Sequence, residues 1–208
     1  MAAFTFYTVA MSRGQISRWA LHEVAADYQH VMMDWDSRPD TFRRLNPMNK
    51  VPVLVHHTPA GDHIITECAA INHYLAETHP DAGLLAEPHE RAAYFRWLFF
   101  AAGPLEQAVM ARMLGWELPD GKGATAGFGS LELTLDALDG WLSHNDFAAG
   151  ARFTMADTYI ASQFIWGLRL GTIPERPSFR AYVERVTQRP AYRAANAIDA
   201  SIIKGAGA

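Results

Sequence analysis

The residues best suited to chemistry lie at the starts of two predicted helices. Ser12, Arg13, Gly14 and Gln15 form a Ser-x-x-Gln pattern, which predicts a capping box before the first helix. A hydroxyl in that turn can donate a hydrogen bond, and the positive end of the helix dipole favours an anion at the same place. Ser12 is therefore a candidate donor to a developing negative charge.

The second helix is predicted to begin near Glu67 and Cys68 and to bury Ala70, Ile71, Tyr74 and Leu75. Free N–H groups at such a helix start can also bind an anion. Cys68 is the sole cysteine, which excludes an internal disulfide and any multi-cysteine zinc or iron–sulfur site. A thiol in this position can be reactive, but a small semi-buried residue is the simpler interpretation.

The composition indicates a folded protein without a nucleic-acid footprint. The chain has 208 residues, half of them apolar, which is enough to bury a substantial core. Its 18 basic and 22 acidic residues give a net charge of −4, and long runs of like charge are absent from the sequence. Nine scattered histidines without a carboxylate pattern predict no metal site.

The start of the chain indicates where the protein works. The first charged side chain is Arg13, so the apolar opening lacks the cationic region of a secretory signal. No later apolar run reaches the roughly 20 residues that a membrane helix needs. Together with the single cysteine, these features predict a cytoplasmic protein that does not bind a membrane.

The elements that must position these residues are of two kinds. The first 80 residues predict a βαβ unit, a hairpin and a helix: strands at residues 4–9, 30–35, 53–56 and 63–66, helices at 16–24 and from 67, and a polar helix or irregular turn at 38–45. His79 begins turn-forming sequence that predicts an interdomain linker. Only helical patterns follow it.

In the second part of the chain, predicted helices include residues 131–142, 178–187 and 191–203. Pro104 lies inside the helical pattern that begins near Tyr94, and we expect a kink or break near Gly103. Thr154 and Asp157 form a capping-box variant, which predicts that the next helix starts there.

Two motifs resemble those of the cytosolic-type glutathione S-transferases, in a bacterial-like, serine-type form. They are residues 46–54 (Asn-Pro-Met-Asn-Lys-Val-Pro-Val-Leu) and residues 65–71 (Ile-Thr-Glu-Cys-Ala-Ala-Ile). Residues 153–157 and 189–192 also resemble the helical domain of that family, so the resemblance covers nearly the whole chain.

The resemblance implies an α/β plus all-α fold with two domains. A thioredoxin-like, glutathione-binding domain at residues 1–80 would be followed by a linker at 81–88 and an all-helical domain at 89–208. The family also implies a homodimer, in which the first domain of one subunit meets the helical domain of the other.

The implied function is a transferase that activates the thiolate of its co-substrate glutathione to attack a small hydrophobic electrophile, as in detoxification. Catalysis would consist of thiolate stabilisation and proximity. Two alternatives remain open. One is a glutathione-dependent disulfide reductase or isomerase, and the other is a non-catalytic binding module on the same fold.

The resemblance also assigns the residues that would bind glutathione. Because glutathione is a peptide, the main chain of Val51 can bind it as an added strand, and a cis Pro52 would turn that main chain towards the ligand. Asn49 and Lys50 precede this turn, and both could reach the glycyl carboxylate.

The γ-glutamyl end of glutathione carries an ammonium group and a carboxylate. By resemblance, Glu67 would pair with the ammonium group, and the helix start at Cys68 would bind the carboxylate. Most of the family has Ser or Thr after this acid. Because a thiol is a weak donor, either the backbone N–H of Cys68 does this work or binding is looser.

The glutathione sulfur needs a hydrogen-bond donor because a free thiol, with a pKa of about 8.5, is mostly protonated at neutral pH. Ser12 is the first candidate, since serine-type members place the residue in this turn. Tyr7 and Arg13 are the alternatives. Tyr7 matches the place of the tyrosine in tyrosine-type members only loosely, and a guanidinium near sulfur would also favour the thiolate.

An acceptor pocket for the electrophile needs an apolar wall. Met110, Met113 and Trp116 in the first part of the helical domain, with Trp166 opposite, could form such a wall beside Met11. Stripes at helical spacing also occur in ordinary cores, and that interpretation stays open here.

Overall fold

The apolar run near the start of the chain becomes one of the two central strands of a four-stranded mixed sheet. The computed structural model describes residues 2–206. The strands are β1 (Phe4–Thr8), β2 (Tyr28–Met32), β3 (Val53–Thr58) and β4 (Gly61–Thr66). Their order is β2-β1-β3-β4, with β1 and β2 parallel and the other two pairings antiparallel. Strands form at all four predicted places, but the second one begins and ends earlier than the predicted range of 30–35.

The register of the sheet gathers three chain segments at one edge. Tyr7 lies opposite Val53, and Val53 lies opposite Thr66. Because both pairings are antiparallel, the end of β1, the start of β3 and the end of β4 meet there. We call this edge, marked by Thr8, Val53 and Thr66, the Thr8 edge.

Helices cover the two faces of the sheet. α1 (Gly14–Glu23) lies on the face that carries Phe6, whose ring is 5.4 Å from the Arg18 guanidinium. A 3-10 helix (Asp40–Arg44) covers the other face and buries Phe42 against Val53 and Val55. The alternation along β1 explains this division, since successive side chains point to opposite faces. α2 (Cys68–Thr78) begins two residues after the end of β4.

The second unit, Leu84–Gln188, is helical. Its helices are α3 (Arg91–Phe100), α4 (Glu106–Leu114), α5 (Leu131–Leu142), α6 (Met155–Leu170) and α7 (Pro177–Thr187). The thioredoxin-like and helical fold classes predicted for the two parts of the chain are therefore confirmed.

The disruption predicted near Gly103 is present as a change of helix type and not as an end of the helix. α3 and α4 are separated by one π-helical turn, Ala101–Leu105, which contains Pro104. Proline has no N–H and its ring collides with the preceding turn, so a regular α-helix cannot pass through it. A wider turn accommodates the ring without ending the helix.

The capping box at the start of α6 is also present. The Asp157 carboxylate accepts hydrogen bonds from the Thr154 N–H (2.8 Å) and hydroxyl (3.1 Å), from the Ala148 N–H (2.7 Å) and from the Tyr182 hydroxyl (2.8 Å). All four side chains are buried or nearly so. This carboxylate therefore joins the start of α6 to α7 and to the preceding loop.

The last helix lies differently from the sequence-based division. α8 (Pro190–Ala206) belongs to the first unit, which consists of the residues up to Gly83 and those from Arg189 onward. The family resemblance implies one helical domain at residues 89–208. The reason is packing, because α8 lies along α1 and stacks Tyr192 edge-on against Trp19 with ring centroids 4.9 Å apart.

Within residues 2–206, no helix has the length and apolar character needed to cross a membrane. The same residues contain no group of three or more His, Cys, Asp or Glu side chains arranged to hold a metal ion.

Candidate active site

The β1–α1 turn holds Ser12 at the Thr8 edge. The Ser12 hydroxyl donates to the Val9 carbonyl at 2.6 Å and accepts from the Gly14 N–H at 3.0 Å. The predicted capping box is wrong in its details. α1 begins at Gly14 with Arg13 as its N-cap, and the Gln15 side chain donates to the Ala10 carbonyl at 2.6 Å. Ser12 caps the first N–H of the helix from one residue further out.

A glycine is required where this turn meets the strand. A Cβ on Gly14 would lie 1.9 Å from the Thr8 hydroxyl oxygen, which is far closer than two heavy atoms can approach. The absent side chain lets the first turn of α1 rest directly on the end of β1. The position of Ser12 relative to the sheet follows from this close packing.

Cys68 connects the starts of α1 and α2. Its thiol, 5% exposed, donates to the Arg13 carbonyl with a distance of 3.4 Å. One turn further along, the Ser17 hydroxyl donates to the Asn72 side-chain oxygen at 3.1 Å. The positively polarised ends of two helices therefore meet beside the Ser12 turn, and the Cys68 side chain is used to hold them together.

Glu67 has an unusual backbone conformation. It lies between β4 and α2 with φ of 67° and ψ of 121°, a region that costs a non-glycine residue about 1–3 kcal/mol. Its side chain is exposed, while its carbonyl accepts the first hydrogen bond of the helix, from the Ile71 N–H at 2.9 Å. Strain of this kind at an exposed acidic residue is typical of functional sites.

The segment before β3 turns at a cis peptide bond between Val51 and Pro52, as predicted. Pairing of β3 begins at Val53, so Val51 lies outside the ladder. Its side chain packs against the Phe42 cluster. Pro52 is buried, Lys50 is exposed and Asn49 is half-buried with φ of 54°.

The two alternative sulfur partners have different surroundings. The Tyr7 ring packs among apolar side chains on the 3-10 helix face, 5.7 Å from the Phe42 ring centroid. Arg13 is exposed and its carbonyl already binds Cys68. Ser12 and Arg13 therefore lie in the turn that meets α2, whereas the Tyr7 ring contributes to an apolar cluster.

The predicted acceptor wall is distributed over several elements. Met113 and Trp116 lie at the end of α4 and just beyond it, with 53% and 68% of their surface exposed. Met110 in α4 and Trp166 in α6 are half-buried. Met11, in the first unit, is 67% exposed. High exposure of three of these large apolar side chains is unusual for core residues.

Models of known protein families match both parts of the chain. The family model for the glutathione S-transferase N-terminal domain matches residues 2–77, and the model for the C-terminal domain of the same family matches residues 111–190. The chain belongs to the glutathione S-transferase family.

Individual glutathione S-transferases align over almost the full length. Glutathione S-transferase 3 of Zea mays is 29% identical over 213 aligned residues, covering 93% of each chain. The structure of a sphingomonad glutathione S-transferase complexed with glutathione has a TM-score of 0.75 at 27% identity, covering 94% of this chain and 98% of that one.

One further relative is similar over a shorter stretch. The disulfide-bond oxidoreductase YfcG of Escherichia coli (strain K12) is 39% identical over 94 residues, which is 41% of this chain and 42% of that protein. This local identity is higher than that to the maize transferase, but it covers less than half of either chain.

Proposed function

We propose that this glutathione transferase binds glutathione at the Thr8 edge and activates its thiol to attack a hydrophobic electrophile. The observation that carries the proposal is the convergence of three features at this edge. They are the Ser12 turn, the Val51–Pro52 segment just before β3 and the paired starts of α1 and α2, joined by the Cys68–Arg13 hydrogen bond.

Each part of glutathione has a complementary group at this edge. The main chain of Val51, outside the β3 ladder, pairs with the cysteinyl part of the peptide. Asn49 and the exposed Lys50 reach the glycyl carboxylate. Opposite charges support this assignment, because the glycyl end is an anion.

At the γ-glutamyl end, Glu67 pairs with the ammonium group, and the start of α2 binds the carboxylate. Because the Cys68 thiol already donates to the Arg13 carbonyl, the backbone N–H of Cys68 is the group that meets the carboxylate. The substitution of the family's usual hydroxyl by a thiol therefore leaves the principal donor in place.

Ser12 supplies the hydrogen bond to sulfur. To do so, its hydroxyl leaves the Val9 carbonyl and keeps the hydrogen bond from the Gly14 N–H. In the reaction, the thiol proton passes to solvent, the thiolate forms a C–S bond with the electrophilic carbon, and the leaving group departs with its electron pair. Stabilisation of the thiolate accounts for the catalysis.

Exposed apolar side chains support a hydrophobic electrophile as the second substrate. In the helical unit, Met113 and Trp116 are large apolar side chains with more than half of their surface exposed, as an acceptor surface requires. We include Met110 and Trp166 of the same unit, and we keep Met11 of the first unit, which is also exposed, as a further candidate. Such chemistry fits a cytoplasmic role in detoxification.

A conjugation assay tests the proposal directly. We expect saturable binding of glutathione in calorimetry, and enzyme-dependent formation of a thioether from glutathione and an activated aromatic halide. If the protein does not bind glutathione at millimolar concentration, the proposal is wrong and a non-catalytic binding module becomes the better interpretation.

Disulfide reduction is a second candidate, supported by the 39% local identity to the disulfide-bond oxidoreductase. Cys68 is the sole cysteine and is buried, so both electrons must come from two glutathione thiols. One thiolate attacks the disulfide and releases a thiol. The second thiolate attacks the mixed disulfide, which gives oxidised glutathione and a second thiol. Turnover of a mixed disulfide, with an aromatic halide inert, would favour this activity or an isomerase.

The family also suggests a homodimer, which we include in the proposal. Light scattering across micromolar concentrations should give twice the 23.1 kDa mass of one chain. A mass of one chain throughout that range would contradict it.

A further inference from the structure

Arg38 connects two loops near the candidate glutathione site. Its Nη1 donates to the Asn49 carbonyl, and its Nε donates to the Asp34 carbonyl at 3.1 Å. The guanidinium also lies 6.0 Å from the Trp35 ring centroid. Arg38 therefore bridges the loop after β2 and the loop before Pro52, eleven residues further along the chain.

Each bridged loop is also held from within. The Asp34 carboxylate accepts from the Asp36 N–H at 2.8 Å, which folds the loop after β2 into a turn. In the other loop, the buried Asn46 side chain donates to the Lys50 carbonyl at 2.8 Å and accepts from the Met48 N–H at 3.0 Å. Asn46 thus stabilises residues 46–50 by hydrogen bonds within the loop, and Arg38 binds the Asn49 carbonyl from a different loop.

The Asn49 carbonyl is the point where such a contact matters most. Asn49 has φ of 54°, a left-handed conformation that an asparagine adopts more readily than most residues but that still needs support. A hydrogen bond from a guanidinium is stronger than one from a neutral donor. The bridge from Arg38 therefore fixes the peptide plane immediately before Lys50 and Val51.

We infer that Arg38 is a positioning residue for glutathione. It holds the Asn49–Lys50 backbone so that the Lys50 side chain and the Val51 main chain face the ligand without further ordering. This inference rests on the proposed function and adds a residue to it, because Arg38 acts through Asn49 and not through the reacting sulfur. Pre-ordering of a binding loop increases affinity by removing its entropic cost from the binding step.

The matched control is Arg43, an exposed arginine on the 3-10 helix. Arg43→Ala removes the same positive charge as Arg38→Ala, so it measures any general electrostatic effect on the anionic ligand. Arg38→Lys keeps the charge, but a single ammonium cannot reproduce the fork of a guanidinium. Together, the three variants distinguish the effect of the positive charge from the effect of the hydrogen-bonded bridge and from the loss of the Arg38 side chain.

We expect Arg38→Ala to raise the dissociation constant and the KM for glutathione about tenfold, which is the change expected from one charge-assisted hydrogen bond. The kcat at saturating glutathione should stay within about twofold, since loop ordering is complete once the ligand is bound. Arg38→Lys should give an intermediate KM, and Arg43→Ala should match the wild type.

Several results would overturn the inference. They are unchanged KM in Arg38→Ala, an equal increase in Arg43→Ala, or a loss of kcat at unchanged KM. If Arg38→Ala does not fold, Arg38→Lys decides, and a KM equal to that of the wild type in the lysine variant would contradict the bridge. Absence of glutathione binding by the wild type would overturn the proposed function and this inference together, whereas binding shared unchanged by Arg38→Ala would overturn the inference alone.

Discussion

In the proposed function, the Ser12 hydroxyl is positioned by its turn before glutathione binds. In this structure its proton is used by the Val9 carbonyl, and its oxygen accepts from the Gly14 N–H. A hydroxyl oxygen that accepts one hydrogen bond becomes a better donor in the next. Redirecting its proton to a thiolate therefore exchanges a neutral acceptor for a charged one, which is the stronger interaction.

We expect Ser12→Ala to lower turnover by a factor of about 10²–10³, as for other lost donors to a developing anion. Glutathione affinity should change little, and the pH at which bound glutathione ionises should rise. Tyr7→Phe should remain close to the wild type because its ring belongs to the Phe42 cluster. Ultraviolet titration of the bound thiolate measures both variants, and a normal curve for Ser12→Ala beside a shifted one for Tyr7→Phe would disprove the assignment.

Glu67 and Cys68 should differ sharply in their contribution to binding. Glu67→Ala should weaken glutathione binding by roughly 1.5–3 kcal/mol, the range for a hydrogen bond to a charged group. Cys68→Ser should leave the affinity equal or improved, because a hydroxyl donates more strongly than a thiol to the Arg13 carbonyl or to a carboxylate. Calorimetry on both variants checks this, and the reverse order would show that the γ-glutamyl site lies elsewhere.

At the scale of elements, the start of α6 depends on one buried carboxylate. Burial raises the pKa of Asp157 to about 6, although hydrogen bonds from Ala148, Thr154 and Tyr182 oppose this effect. Since the folded pKa lies above the ordinary value of 3.8, the folded protein holds this proton more tightly than the unfolded chain. The stabilisation of the folded state by Asp157 is therefore fully present below pH 3.8 and is lost as the pH rises to about 6.

Across that pH window, the contribution of Asp157 to the free energy of unfolding should fall by about 3 kcal/mol. We expect the difference in unfolding free energy between the wild type and Asp157→Asn to shrink as the pH rises from 3.8 to 6, and to stay constant above it. Urea unfolding at a series of pH values measures the difference. A difference that grows with rising pH would show that the hydrogen bonds outweigh burial.

A histidine in the first unit should respond to pH in the opposite sense. Burial lowers the pKa of His56, and neighbouring His63, His79 and His57 lower it further. The folded protein therefore binds this proton less tightly, so the contribution of His56 to stability is present above pH 6.5 and is lost as the pH falls through its lowered pKa. The two units thus carry titrating groups of opposite sign.

At the scale of the whole molecule, the end of the chain is joined to the first helix by two ion pairs, one of them buried. Arg18 Nε donates to the Asp199 carboxylate at 2.9 Å, with both side chains almost fully buried. Arg189 donates to the Glu23 carboxylate through two nitrogens, each at 2.6 Å. These contacts explain why α8 belongs to the first unit, although the whole second unit, Leu84–Gln188, separates it in sequence from the rest of that unit.

We expect Asp199→Ala to destabilise the protein by about 3–5 kcal/mol, because it leaves the Arg18 guanidinium buried without its partner carboxylate. Burial raises the pKa of Asp199 even though Arg18 opposes the shift, so the pair as a whole gains little from its charges. The double variant Arg18→Met with Asp199→Leu should therefore be much closer to the wild type. Urea unfolding compares the two, and equal losses in both would contradict this account.

Much of the fold could be predicted because the signals are local. Alternation in β1, the capping pair Thr154 and Asp157, and Pro104 act on neighbouring backbone, so each predicts a strand, a helix start or a break without knowledge of the rest of the chain. The capping box at Ser12 was predicted incorrectly for the complementary reason. α1 begins at Gly14, which packs closely against Thr8, and the sequence does not show which residues will meet there.

By itself, the sequence determined the residue types available for glutathione chemistry, the order of the elements and the family resemblance. These follow from short-range patterns and from motifs within a few residues. Tertiary structure alone decided that the Cys68 thiol binds the Arg13 carbonyl, that Arg38 holds Asn49, and that α8 returns to α1. Those contacts depend on long-range packing and on the competition of one acceptor among several donors, and no local pattern records the outcome of that competition.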